Sequence, residues 1–157
     1  MSKKIIKFTL TILLPLSISS CIIGEIQSGF PLDPPLGLEL TQVSNNSILS
    51  EWWGYNTESY FSGYVIFITT NSNDLYQDRN STNHFNKPYL TNSLGNLPTI
   101  FAPIPSTTTK YSFTITQLPN GNPITTNITY YVAVAAYSAS KSAFSPLSNI
   151  TNITLTN

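Results

Sequence analysis

Tyr130-Tyr131-Val132-Ala133-Val134-Ala135-Ala136-Tyr137 is apolar or aromatic at every position, and Tyr64-Val65-Ile66-Phe67-Ile68 shows the same character earlier in the chain. A strand with one face in water alternates apolar and polar residues, whereas runs like these are strands covered on both faces. Side-chain alternation puts Tyr130, Val132, Val134 and Ala136 on one face and Tyr131, Ala133, Ala135 and Tyr137 on the other. The segments around them read as half-buried strands. Leu36, Leu38 and Leu40 alternate with Gly37 and Glu39, and Tyr111, Phe113 and Ile115 with Ser112 and Thr114. Residues 47–53 form a strand whose inward face is either Ile48, Ser50 and Trp52 or Leu49 and Trp53. Residues 149–155 supply a last strand. Turn-rich stretches such as Ser44-Asn45-Asn46 and residues 119–127 separate the runs. About seven strands divided by turns predict an all-β sandwich, with no helix needed after the leader.

Residues 71–110 interrupt this regularity. Pro88, Gly95, Pro98, Pro103 and Pro105 break any long periodicity, yet the segment carries Leu75, Phe85, Tyr89, Leu97 and Phe101. A structureless loop of that length is out of place in a compact domain. It is expected to contain one or two short strands and to lay its apolar side chains on the sandwich.

Side by side, these strands resemble a fibronectin type III module, an immunoglobulin-like β-sandwich. Pro34-Pro35 ahead of Leu38 and Leu40 is similar to the family's opening, and Ser47-Ile48 leading to Trp52 resembles its second strand. Gly63-Tyr64-Val65-Ile66 is similar to its third. Tyr111-x-Phe113-x-Ile115 leading to Leu118, and Tyr130-x-Val132-x-Val134-x-Ala136, extend the likeness. Ser142 and Ser145 stand where the family often has serines before its last strand. The stretch between Ile68 and Tyr111 is longer than the family's. The gap from Leu118 to Tyr130 is also wider, which leaves the family's tyrosine-corner hydrogen bond open. The resemblance implies a domain over residues 34–157 with an insertion at 71–110. It implies no particular function, because this sandwich serves many.

Ahead of the domain, Lys3, Lys4 and Lys7 lead into a mostly apolar run over residues 8–18, shorter than the ~20 residues of a membrane-crossing helix. The sequence Leu16-Ser17-Ile18-Ser19-Ser20-Cys21 resembles a bacterial lipobox. That resemblance implies a signal helix over residues 1–20, cleavage before Cys21 and a diacylglyceryl group on its thiol. Residues 21–33 then form the lipidated cysteine and a tether of at most ~40 Å when extended. Cys21 is the chain's single cysteine, so no internal disulfide can form. Two or more acyl chains anchor a protein stably where one does not. The expected partner is therefore a membrane, through lipid on Cys21, with the domain held at the bacterial outer membrane or cell surface.

Loss of the leader leaves Arg79, Lys87, Lys110 and Lys141 against seven acidic residues. Without a basic patch to neutralise phosphates, nucleic acid is not an expected partner. Reactive chemistry is sparse. His84 is the one histidine, and although Asp74 and Asp78 lie near it, no second histidine or thiolate completes a metal or catalytic set. It reads as a solvated loop residue. Glu51 and Glu58 read as strand-end acids, and phosphate-cradling glycine loops are absent from the sequence. No catalytic residue, cofactor or metal is expected, and no enzyme activity.

The candidates for binding are aromatic. With Tyr64, Ile66, Tyr130, Val132 and Val134 turned into the core, Val65, Phe67, Tyr131, Ala133, Ala135 and Tyr137 make an apolar outer face. Either the insertion covers that face, the favoured outcome, or the face stays open to dock a protein or stack sugars. One of Trp52 and Trp53 is expected in the core, and the other either packs or serves as a stacking platform. The candidate ligand-contact residues are thus Trp53, Val65, Phe67, Tyr131 and Tyr137, with a protein as expected partner and a sugar as the alternative.

Overall fold

The computed structural model describes residues 32–157. The expected signal helix and Cys21 lie outside the described residues. The elements run β1 (Leu36–Ser44), β2 (Ser47–Gly54), β3 (Gly63–Thr69), α1 (Asn73–Tyr76), β4 (Ile100–Phe101), β5 (Thr109–Ile115), β6 (Thr129–Ser138), β7 (Ala143–Phe144) and β8 (Thr151–Thr154). They form two antiparallel sheets. One has the order β1-β2-β5, and the other β4-β3-β6-β7 with β8 also on β6. First, second and fifth strands facing third and sixth is the immunoglobulin-like arrangement. The fold is the fibronectin type III-like β-sandwich that the sequence predicts.

Between the sheets lies the main core, in which Leu38, Ile48, Trp52 and Ile115 of one sheet meet Tyr64, Ile66, Tyr130, Val132 and Val134 of the other. The ambiguous second strand resolves with Ile48, Ser50 and Trp52 buried and Trp53 outside. Trp52 wins the interior because its ring meets Tyr64 edge-on at 5.6 Å and stacks on Tyr111 at 6.2 Å. Leu36 departs from its expected alternation. A register shift between Leu36 and Glu39, with Gly37 at φ +62°, turns Leu36 into solvent, where it is 66% exposed. Leu32 belongs to the main core at 2% exposure.

Every residue of β3 is buried, as its sequence requires. Its outer face and that of β6 form a second core, Val65, Phe67, Ala133, Ala135 and Tyr137, closed by Leu75 of α1, Phe144 and Leu147, with Tyr89 and Leu97 against it. The insertion is laced down by backbone pairing on two sides. Pro88 O accepts from Ile68 N at 3.1 Å and Leu90 N donates to Ile66 O at 2.8 Å, while Phe144 N donates to Thr82 O at 3.0 Å and Leu147 N to Arg79 O at 2.9 Å.

Two features settle points of the resemblance. The Tyr130 hydroxyl donates to Thr125 O at 3.2 Å and accepts from Thr125 N at 2.9 Å, so a tyrosine-corner bond forms despite the wide gap. Before β8, the pairing serines are Ser145 and Ser148, and Ser142 instead occupies a turn at φ +49°. Their hydroxyls accept from Ala136 N at 2.9 Å and Val134 N at 3.0 Å, standing in for strand carbonyls along a segment that Pro146 interrupts.

Candidate functional site

Trp53, one residue before the end of β2, faces the solvent side of the three-stranded sheet, opposite Leu36 of β1 and Lys110 of β5. A Cβ at Gly37 would lie 3.4 Å from Trp53 Cδ1, so the indole rests alongside the bulge, at a backbone angle that favours glycine. Trp53 is 46% exposed, and Tyr55, just beyond the strand, 48%. With Asp33, Pro34, Leu36 and Thr108 they line a cleft of about 370 Å³. The walls are tied to the core. The buried Tyr64 hydroxyl donates to Asn56 Oδ1 at 2.9 Å, Asn56 Nδ2 donates to Asp33 O at 3.0 Å, and Asp33 N donates to Glu58 Oε1 at 3.2 Å. Burial, followed by the neighbouring Tyr111, pushes the Tyr64 phenol well above its ordinary value, so it remains a donor. Lys110, opposite Trp53 on β5, is paired with Glu51 at 3.0 Å.

The other candidate contacts divide. Val65 and Phe67 are fully buried and Tyr137 is 7% exposed, which removes all three from the ligand-contact surface. The cause is the insertion, whose apolar residues cover the face they share. Tyr131 is half-buried against the same second core. Trp53 alone of the five stands open. Tyr55 and Leu36 were missed as contacts because their exposure depends on a loop path and a bulge.

His84 is not the solvated loop residue its surroundings in sequence imply. It is fully buried, its ring centroid 5.7 Å from Phe67 and 5.6 Å from Phe144, and neither ring nitrogen has a hydrogen-bond partner. Burial, then the nearby Lys87 charge, pushes its pKa down to about 4, and the backbone of Ser145 and the Asp78 carboxylate oppose this too weakly to offset it. Asp74 and Asp78 do not join it. The Asp74 carboxylate accepts from Thr69 Oγ1 at 2.6 Å and Asn71 Nδ2 at 3.2 Å. A cleft of about 180 Å³ at Asp74, Asp78 and Lys87 is not lined by His84. Lys87 reaches under α1, where its ammonium donates to Asp74 O at 2.9 Å and to Gln77 O. Among the described residues, no three histidine, cysteine or acidic side chains are grouped to hold a metal ion.

No family model and no curated protein matches the chain. Among solved structures, it is similar to the FN1–FN3 domains of chicken CNTN1, at 18% identity and TM-score 0.48 over 81% of this chain and 33% of that one. Domains A168–A170 of titin align at 15% identity and TM-score 0.43 over 81% of this chain and 33% of theirs. A myokine structure aligns at 13% identity and TM-score 0.41 over 80% of this chain and 99% of its own. The chain thus spans about a third of the CNTN1 and titin structures. These likenesses are too slight to carry an argument about function. The strand order itself places the fold.

Proposed function

We propose that the chain is a lipid-anchored, non-catalytic binding module displayed at a cell envelope. The observation that carries this reading is the run Ile18-Ser19-Ser20-Cys21, standing in sequence ahead of the β-sandwich. Acyl chains on Cys21 would hold the body within a few tens of ångströms of a bilayer. The sandwich supports a binding role in two respects. Its histidine is sealed in an apolar layer, and the open concavity at Trp53 is lined by apolar and neutral groups with a single carboxylate. A broad protein-docking face on β3 and β6 loses its support, because the insertion occupies it.

Detergent phase partitioning with mass spectrometry of the mature N-terminus tests the anchor. The expected product begins at Cys21, carries the mass of its acyl groups and enters the detergent phase, whereas Cys21→Ala stays in the aqueous phase. A mature protein that begins elsewhere, or that keeps a free thiol at Cys21, refutes the anchor.

A further inference from the structure

We propose that the cleft between Leu36, Trp53 and Tyr55 binds a neutral pyranose, one or two sugar rings in extent. The inference rests on the reading of the chain as a non-catalytic binding module and is independent of the lipid.

Single exposed apolar side chains are ordinary on protein surfaces. Here three of them, 66%, 46% and 48% exposed, line one concavity. Its volume of about 370 Å³ falls at the small end of ligand sites, which run from roughly 300 to 1,000 Å³. That suits one or two compact rings better than an extended chain. An aromatic face carries a negative quadrupole that attracts weakly positive hydrogens. The C–H face of a pyranose supplies such hydrogens, and its hydroxyl rim needs polar partners beside the ring. Asp33 and Thr108 are placed to provide them. Neither the Asp33 carboxylate nor the Thr108 hydroxyl has a partner among the described residues.

Charge selects the class of sugar. Asp33 is the one charged residue lining the cleft, and the Lys110 ammonium is already held by Glu51 at 3.0 Å. A uronic or sialic acid would bring a carboxylate toward Asp33 with no cation among the described lining residues to receive it. The walls are also set before any ligand arrives. Gly37 fixes the bulge beside Trp53, and the chain of bonds from Tyr64 through Asn56 fixes the backbone at Asp33. Such preorganisation lowers the ordering cost of binding.

The test uses the full chain in a zwitterionic detergent, since glycoside detergents would compete. Cellobiose, maltose, lactose and N,N′-diacetylchitobiose are titrated while tryptophan emission is followed, with digalacturonic acid as the anionic control. The expected result is a saturable blue shift with at least one neutral disaccharide and none with digalacturonic acid. Because Trp53→Ala removes the exposed reporter, the variants are compared by isothermal titration calorimetry, in which Trp53→Ala should abolish binding and Tyr55→Ala should weaken it by roughly 3- to 10-fold, the worth of one aromatic contact. Circular dichroism checks that the variants fold, and should Trp53→Ala fail, Tyr55→Ala and Leu36→Asn decide. Cys21→Ala should bind the same sugars equally well, which separates this outcome from failure of the anchor. The proposal is overturned if no neutral sugar binds, if binding survives both aromatic substitutions, or if digalacturonic acid binds as well as the neutral sugars. A Trp53-dependent protein partner found without sugar binding would overturn it too.

Discussion

His84 shows how one residue can set the chemistry of a whole layer. Its imidazole sits between Phe67 and Phe144 with both nitrogens unpaired, an arrangement that favours the neutral ring. Its folded pKa of about 4 lies below the ordinary 6.5, so the unfolded chain binds more protons between those values. The stability this residue contributes is complete above pH 6.5 and falls away as the pH drops toward 4. At about 1.4 kcal/mol per unit, the loss reaches at most about 3–4 kcal/mol. Urea unfolding at pH 7 and pH 4.5 measures it. His84→Leu should flatten the pH dependence across this window, and an unchanged slope in that variant would show that the ring is not its source. The same residue marks a limit of sequence reading. A histidine among Asn83, Asp78 and Lys87 has polar neighbours in the chain, and only the long-range approach of Phe67 and Phe144 buries it.

At the scale of elements, the second core makes β3 and β6 central to the molecule. Phe67 touches His84, Tyr89 and Phe144, and lies on the opposite face of β3 from the main core. Phe67→Ala should cost about 3–5 kcal/mol, in the range for a buried phenylalanine. It should also open the insertion to protease at sites between residues 71 and 99. A loss below about 1 kcal/mol, or resistance to cleavage equal to the parent, would show that the layer is not packed as described. Much of this was legible. Continuous apolar runs are an unmistakable mark of strands covered twice, and the apolar content of 71–110 required a place to be buried. The path of the insertion was not legible, because the pairings of Pro88 and Leu90 with β3, and of Arg79 and Thr82 with the segment after β6, join residues far apart in sequence without local signature. Leu36 misled for the opposite reason. Its local alternation is regular, and a single residue of bulge at Gly37 reverses its face. Trp53 was legible as one of two choices and needed the rings of Tyr64 and Tyr111 to settle which.

Across the whole molecule, the two sheets are joined along one side by amide side chains acting as peptide groups. Asn149 Oδ1 accepts from Leu38 N at 2.8 Å, and Asn149 Nδ2 donates to Leu38 O at 2.9 Å. Gln42 does the same for the end of the chain, its Nε2 donating to Thr156 O at 2.7 Å and its Oε1 accepting from Thr156 N at 3.0 Å. Each such pair is worth about 1–2 kcal/mol net. Asn149→Ala should lose that much in urea unfolding, and Asn149→Asp, which keeps the acceptor and loses the donor, should fall between. Equal stability of all three proteins would refute the role.

The direction of this clasp has a mechanical consequence. Leu38 meets Asn149 and Gln42 meets Thr156, so the first and last strands run the same way along the seam. A force that pulls the two ends of the body apart would drag those strands past each other and load both clasps together. They would resist as a seam under shear, not one that opens stitch by stitch.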